Sequence, residues 1–201
     1  MLGWDKCLGE VHYLNKESML GKQSLDIIFL GPSRTGKSKL LNNFDCKDHV
    51  RRFPSETNVL EEGKCTFERL GSNATINVYA TPDSTIDRLI TVYLNTCSIV
   101  LLTYDVADIA HLRHIEKKYV PILKSHRECE KLTVFLVGTK MSTTPTPSML
   151  QDVSKTITLM LVTHSLRSQV GARVGTLEVT VDDFSSVEQF KDRVLSFVIL
   201  E

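Results

Sequence analysis

The sequence predicts an α/β fold in which helices cover both faces of a mostly parallel sheet. From residue 24 onward, short apolar runs rich in β-branched residues alternate with longer stretches of helical periodicity, the pattern of strand and helix units in such a sheet. A glycine-containing turn separates the first apolar run from the first helical stretch. These observations predict a six-stranded sheet with one antiparallel edge hairpin and about five flanking helices.

The individual elements follow from length and from turn residues. Four runs are too short and too uniformly apolar for amphipathic helices, which predicts buried strands at residues 25–30, 98–104, 132–138 and 177–181. Two further runs, residues 66–70 and 74–79, flank a Gly-Ser-Asn turn typical of a hairpin. Helices are predicted at residues 37–43, 84–94, 110–125, 148–163 and 185–200, several of them opening on a capping Ser or Asp. We expect one domain over residues 25–201 and an N-terminal extension over residues 1–24.

Composition limits the classes of partner. The 201 residues carry 24 basic and 24 acidic side chains, so no net charge draws the chain to nucleic acid or to an anionic membrane. Five scattered cysteines without a Cys-x-x-Cys pair favour a reducing, cytoplasmic setting. The sequence shows no signal peptide, no bilayer-spanning run and no prenylation cysteine. We therefore expect no nucleic-acid partner and no membrane anchor in this chain.

Residues 31–38, Gly-Pro-Ser-Arg-Thr-Gly-Lys-Ser, have the spacing of a phosphate-binding P-loop. Its two glycines allow a tight turn, so that backbone amides and the start of the next helix point at phosphate oxygens. The lysine can reach the β- and γ-phosphates, and the final serine can ligate Mg²⁺. An apolar strand before the motif and a helix after it favour a true P-loop over an accidental turn. The predicted phosphate-binding residues are Gly31, Ser33, Arg34, Thr35, Gly36, Lys37 and Ser38.

The order of elements resembles that of the Ras superfamily of small GTPases, because a hairpin follows the P-loop helix and three further strand and helix units come after it. The resemblance covers about residues 25–200. Residues 87–89 (Asp-Arg-Leu), 120–123 (Val-Pro-Ile-Leu) and 136–140 (Leu-Val-Gly-Thr-Lys) look most like the Rho branch. The resemblance implies a Ras-like P-loop G domain that binds GTP or GDP, together with Mg²⁺, and that engages protein effectors or regulators.

In the first switch, the family's Mg²⁺-ligating threonine is matched by Thr57, which lies near the expected distance from Lys37 but lacks the usual preceding proline. An ordinary loop threonine is an equal alternative. Phe53 with the proline after it resembles the Rho segment whose aromatic ring packs on guanine, although His49 is nearer the expected spacing. We assign neither Phe53 nor His49 to guanine binding.

The second switch departs from the family's Asp-x-x-Gly-Gln, because residues 80–84 read Ala-Thr-Pro-Asp-Ser. Ala80 cannot support Mg²⁺, Asp83 brings a carboxylate that would repel a γ-phosphate, and Ser84 replaces the glutamine that orients water. Ser33 stands where the family has glycine, and a side chain there crowds the transition state. We expect slow or absent hydrolysis. An alternative alignment uses Asp83 as the metal-supporting carboxylate in place of Ala80.

Guanine recognition in the family uses Asn/Thr-Lys-x-Asp, and residues 139–142 read Thr-Lys-Met-Ser. Thr139 and Lys140 keep the part that covers the base, so the resemblance assigns them to base binding. Ser142 replaces the Asp that pairs with the guanine edge, and a missing partner for a buried polar group lowers discrimination strongly. The last motif, Thr-Val-Asp at residues 180–182, keeps at most the hydroxyl. The preference for GTP over ATP stays open.

His111 and His114 lie three residues apart on a predicted helix and could share a metal ion. Their charged neighbours, among them Lys118, instead indicate a solvated helix face.

Three functions remain open. The first is an atypical small GTPase that acts as a switch or a binding platform. The second is a pseudoGTPase, a scaffold or interaction module with little or no nucleotide binding, which several simultaneous motif losses favour. The third is a P-loop kinase or ATPase of another lineage, disfavoured because no arginine-rich lid segment is visible.

Overall fold

The computed structural model describes residues 24–43, 50–55, 58–69, 72–141 and 149–199. The strands within these ranges are β1 Ser24–Leu30, β2 Val50–Ser55, β3 Asn58–Arg69, β4 Ser72–Ala80, β5 Ile99–Asp105, β6 Thr133–Lys140 and β7 Arg173–Thr180. They form one seven-stranded sheet in the order β2-β3-β4-β1-β5-β6-β7. Strands β4, β1, β5, β6 and β7 run parallel, whereas β3 is antiparallel to both of its neighbours.

The α-helices of the same ranges are α1 Lys37–Asn42, α2 Asp87–Leu94, α3 Ile109–His114, α4 Val120–Ser125, α5 Met149–Ser165 and α6 Phe184–Ile199. A π-helical turn, Ile115–Tyr119, joins α3 to α4, a second one, Leu166–Val170, follows α5, and a short 3₁₀ turn covers Cys129–Lys131. None of the helices in the described part of the chain has the length and apolar character needed to cross a membrane.

The predicted α/β fold with a mostly parallel sheet is confirmed, but the predicted number of strands is one too low. The additional strand is β2, which pairs only with β3 and therefore lies at the sheet edge. Its sequence, Val-Arg-Arg-Phe-Pro-Ser, contains a proline and two charges. Such residues hide a strand from pattern reading, yet they are tolerated at an edge where one side of the backbone needs no partner.

The predicted hairpin is confirmed as β3 and β4, and its turn, residues 70 and 71, lies outside the described residues. Residues 1–23 of the predicted N-terminal extension also lie outside them.

Two apolar cores lie on opposite faces of the sheet, because successive strand residues point to opposite sides. On β1, Ile27 and Phe29 pack with side chains of α1 and α6. Ile28 and Leu30 pack on the other face with side chains from α2 to α5. Burial of both faces explains why the central strands read as continuous apolar runs.

The segment predicted as one helix over residues 110–125 is interrupted by the π-helical turn Ile115–Tyr119. A π turn adds a residue to the helical repeat and so rotates the side chains that follow it. Tyr119, the last residue of the turn, is completely buried. Its hydroxyl reaches the carboxyl edge of the sheet, where the candidate site lies.

Candidate functional site

The turn between β1 and α1 is a strained cradle of backbone. Gly31, Arg34 and Gly36 have φ angles of 139°, 63° and 77°. A Cβ atom at Gly31 would lie 2.3 Å from the carbonyl oxygen of Thr103, so no larger residue fits there without movement of β5. Positive-φ residues in such a loop turn successive amide groups toward one side, which creates a concavity for an anion.

Buried hydroxyls anchor this loop to β5. The Oγ1 atoms of Thr35 and Thr103 lie 2.7 Å apart. Thr35 donates to the carbonyl oxygen of Pro32 at 3.0 Å, and Thr103 donates to that of Leu30 at 3.1 Å. The Thr35 side chain therefore stabilises the loop. The group of Thr35 that we expect to bind phosphate is its backbone N–H.

Lys37 is held against the loop that it follows. Its Nζ atom donates to the carbonyl oxygens of Gly31 at 2.8 Å and Pro32 at 2.6 Å, and the side chain is buried. These bonds fix the ammonium group at the rim of the cradle, which reduces the entropy lost on binding.

A cavity of about 480 Å³ lies in front of the loop, within the usual range for ligand sites. One wall consists of residues 33–39 and the opposite wall of residues 80–83. The cavity thus brings together every predicted phosphate-binding residue except Gly31, whose carbonyl oxygen accepts from Lys37 behind it.

The predicted base-binding residues lie next to the loop and not in this cavity. Thr139 is buried, and its hydroxyl donates to the carbonyl oxygen of Tyr104 at 3.0 Å. Lys140 ends β6 and accepts a backbone hydrogen bond from Val181 at 2.9 Å. A Cβ atom at Gly36 would lie 3.5 Å from Val181, so the end of β6 is close to the P-loop. Thr57, the predicted Mg²⁺ ligand, lies outside the described residues, as do His49 and Ser142.

The described residues contain only part of a Mg²⁺ site of the family's kind. Ser38 lines the cavity and offers a hydroxyl, but Ala80, at the position of the supporting carboxylate, carries no oxygen on its side chain. Among the described residues no group of three or more His, Cys, Asp or Glu side chains could hold a metal ion. The hydroxyl of Thr81, on the same wall, is buried and has no hydrogen-bond partner. A ligand oxygen in the cavity would give this hydroxyl a partner.

The carboxylate of Asp83 is held by three side chains from α3 and the π-helical turn after it, which together we call the α3–π segment (residues 109–119). We call the resulting group of four residues the Asp83 latch: Asp83, His114, Lys118 and Tyr119. Its Oδ1 atom lies 2.9 Å from His114 Nε2, 2.9 Å from the Tyr119 hydroxyl and 3.2 Å from Lys118 Nζ. Lys118 also donates to the backbone carbonyl of Asp83. Because Oδ1 serves these donors, the alternative in which Asp83 supports Mg²⁺ would depend on the other carboxylate oxygen, Oδ2, and it stays a prediction.

Tyr119 links the latch to the P-loop. Its hydroxyl lies 3.0 Å from the carbonyl oxygen of Gly31 as well as 2.9 Å from Asp83 Oδ1. One hydroxyl proton serves both acceptors, so it donates fully to only one of them at a time. Contacts of hydrogen-bond length therefore run from Lys37 through Gly31 and Tyr119 to Asp83.

The latch fixes the charge of Asp83 and of the Tyr119 hydroxyl. Burial alone would raise the pKa of Asp83, but hydrogen bonds from His114, Tyr119 and Lys118, with the positive charge of Lys118, hold this pKa below its ordinary value. Burial, and then the nearby Asp83 charge, raises the pKa of the Tyr119 hydroxyl well above its ordinary range. At neutral pH the site therefore contains an ionised carboxylate and a neutral phenol.

The prediction of a solvated helix face is wrong for Lys118, because its ammonium group contacts Asp83. The two histidines have separate partners: His114 lies against Asp83, whereas His111 Nδ1 accepts the backbone N–H of Asp105 at 3.3 Å. Sequence reasoning also missed Tyr119, which reads as an ordinary core aromatic. The π turn that directs it to the site leaves no pattern in the sequence.

The lowered pKa of Asp83 gives an expected pH dependence of stability. Its stabilising contribution is complete above the unfolded-state value near 3.8 and is lost as the pH falls through the lower folded-state value. We therefore expect Asp83→Asn to be less stable than wild type at pH 7, with the difference in unfolding free energy shrinking below pH of about 4. Urea unfolding at pH 7, 5 and 3 measures this.

The matched control for that series is Asp152→Asn, which removes an exposed carboxylate from the first turn of α5. A difference between wild type and Asp83→Asn that stays constant from pH 7 to 3 would contradict the assignment of an ionised, stabilising Asp83.

The loop lies between a parallel strand and a helix, it has a lysine at its rim, and it faces a cavity at the carboxyl edge of the sheet. These features define a P-loop nucleotide-binding protein. A family model described as the Ras family matches residues 26–169. This match covers more than half of the chain, and the chain belongs to the Ras family. It is a small GTPase-like protein, and members of this family typically bind GTP or GDP. No curated protein is matched by the chain.

Proposed function

We propose that this protein is an atypical small GTPase that binds guanine nucleotide at the cavity in front of the P-loop and hydrolyses GTP slowly or not at all. The observation that carries the proposal is the pairing of a formed phosphate cradle with a second switch that lacks the catalytic groups. Gly31 and Lys37 supply the cradle. Ala80, Asp83 and Ser84 occupy the positions of the missing groups.

The reason for slow hydrolysis is chemical. Transfer of a γ-phosphoryl group to water needs charge stabilisation and an oriented nucleophile. Ala80 cannot orient a metal-bound water, and the short Ser84 side chain is exposed on a turn before α2. Asp83 adds negative charge where negative charge develops in the transition state. A protein of this kind acts as a binding platform, with protein effectors or regulators as its partners.

The test is a thermal melt of purified protein with GDP, GTP or ATP, each with Mg²⁺ or with EDTA. A ligand at a hundred times its dissociation constant stabilises a folded protein by about 2.7 kcal/mol. For a domain of this size that corresponds to a rise in midpoint of about 5–10 °C. We expect this rise with a guanine nucleotide, and we expect it to persist in EDTA.

Nucleotide content gives an independent readout. Heating the protein as purified and separating the supernatant by anion exchange should release a guanine nucleotide at a sizeable mole fraction. An empty protein whose midpoint ignores all three added nucleotides would overturn the proposal. A larger shift with ATP than with GTP would instead support the kinase or ATPase alternative, against which Ras-family membership argues.

Restoring the missing glutamine alone should not restore turnover. We expect Ser84→Gln to release phosphate from GTP no faster than wild type, because Ala80 and Asp83 remain in place. Single-turnover phosphate release, with nucleotide binding verified by the thermal shift, is the measurement. A clear gain in rate for this single variant would show that Ser84 already stands where an attacking water can be oriented.

One observation favours the second candidate, a pseudoGTPase scaffold. Helix α5 presents an apolar stripe to solvent at helical spacing, formed by Val153, Ile157, Met160 and Leu161. Monomeric proteins rarely expose a contiguous apolar face without a use for it. The Rho-like branch and a cytoplasmic setting stay predictions of the sequence.

A further inference from the structure

We propose that the cavity selects nucleoside diphosphates over triphosphates and that Asp83 is the residue that discriminates between them. This inference rests on the proposed binding of guanine nucleotide and deepens it by naming the ligand class. It follows from the position, orientation and restraint of one carboxylate.

The position of Asp83 places its charge close to the end of a phosphate chain. The cavity has the P-loop on one wall and residues 80–83 on the other. A P-loop lysine reaches the β- and γ-phosphates of a bound nucleotide. In this protein three successive contacts of 2.8, 3.0 and 2.9 Å connect the Lys37 ammonium group to the Asp83 carboxylate through Gly31 and Tyr119. A third phosphate beside Lys37 therefore lies near Asp83 as well.

The latch is oriented with Asp83 on the cavity side, because Asp83 lines the cavity whereas Lys118, His114 and Tyr119 do not. The compensating positive charge of Lys118 lies 3.2 Å from Oδ1, on a residue outside the cavity lining. A phosphate in the cavity is therefore closer to Asp83 than to Lys118, and the two charges cancel only in part at the ligand.

The latch also fixes the place of the carboxylate. His114, Lys118 and Tyr119 together hold its Oδ1 atom, and the Tyr119 side chain is completely buried. The charge of Asp83 is therefore a fixed feature of this cavity wall.

The size of the effect follows from Coulomb's law. At an effective dielectric constant of about 20, one like charge at a separation of about 7–10 Å weakens binding by about fifteen- to fiftyfold. Lys118 offsets part of this, so we expect GDP to bind at least about tenfold more tightly than GTP. The missing carboxylate at Ala80 acts in the same direction, because a triphosphate relies more heavily on a bound cation.

The experiment is titration calorimetry of the full chain with GDP and with GTP in EDTA, so that Mg²⁺ does not mask the charges. Wild type is expected to prefer GDP by at least about tenfold. In Asp83→Asn, which keeps the shape of the side chain, and in Asp83→Gly, which restores the family's residue, the preference should fall to about threefold or less. Asp152→Asn should keep the wild-type ratio.

The outcomes separate this inference from the proposed function. Equal affinities for GDP and GTP in wild type overturn the inference and leave the proposed function standing. No binding of either nucleotide overturns both. A tenfold preference that survives in both Asp83 variants also overturns the inference, because another residue would then set it. If Asp83→Asn does not fold, the test still decides the question, because it can use the ratio of GDP to GTP affinity in wild type and in Asp83→Gly.

Discussion

Replacing Gly31 with alanine is expected to cause the largest loss of stability among substitutions in the P-loop. The new Cβ would lie 2.3 Å from the carbonyl oxygen and 2.7 Å from the hydroxyl of Thr103, at a φ of 139°. The obstacle includes backbone of the central strand β5, which cannot move aside as a flexible side chain can. Steric overlap and backbone strain together should lower the unfolding free energy by about 3–4 kcal/mol. The midpoint should fall by about 10 °C.

Gly36→Ala is the matched control for this substitution. Gly36 also has a positive φ, 77°, but a Cβ there meets only Val181 at 3.5 Å, an ordinary contact. The control therefore carries the conformational strain without the overlap and should cost about 1–2 kcal/mol. Urea unfolding of both variants in nucleotide-free buffer measures the difference. Equal losses in the two variants would contradict the close approach of Gly31 to β5.

Replacing Lys37 with alanine should nearly abolish stabilisation by nucleotide. Hydrogen bonds to charged groups contribute about 1.5–3 kcal/mol each, so loss of the ammonium group should weaken binding by about a hundredfold. With ligand at a hundred times the wild-type dissociation constant, stabilisation should then drop from about 2.7 to about 0.4 kcal/mol. The measurement is the thermal shift with GDP.

The control is Lys124→Ala, which removes an exposed lysine from α4 and should retain the full shift. Lys37→Ala must also be shown to fold, since the Lys37 side chain donates hydrogen bonds to the carbonyl oxygens of Gly31 and Pro32. An undiminished shift with GDP in a folded Lys37→Ala variant would mean that the nucleotide binds elsewhere.

Much of the fold could be read from the sequence because its central strands are buried on both faces. Continuous apolar runs predicted β1, β5, β6 and part of β7, and the observed strands begin or end within a few residues of those runs. Edge strand β2 could not be predicted in this way, because it contains Pro54 and two arginines and pairs on one side only. Edge strands lack the two-sided burial that creates the apolar signal.

The candidate site also has a part that could be predicted from the sequence and a part that could not. The P-loop was predictable because its glycines, lysine and serine are consecutive in the chain, and local spacing is what a motif records. The departures at Ala80, Asp83 and Ser84 were visible for the same reason. The contacts of Asp83 were not, since His114, Lys118 and Tyr119 lie more than 30 residues further along the chain. In the sequence, Lys118 has the character of a solvent-facing residue and Tyr119 that of a core residue.

By itself, the sequence determined that this chain has a phosphate cradle in a Ras-like domain and that residues 80–84 depart from the family's second-switch motif. Only the tertiary structure decided what the substituted carboxylate does: it is held at the cavity wall by the α3–π segment and coupled through Tyr119 to the P-loop. The physical reason is that a motif depends on residues adjacent along the backbone. The charge and hydrogen bonding of Asp83 depend on side chains that the π turn and the packing of α3 against the sheet bring to it.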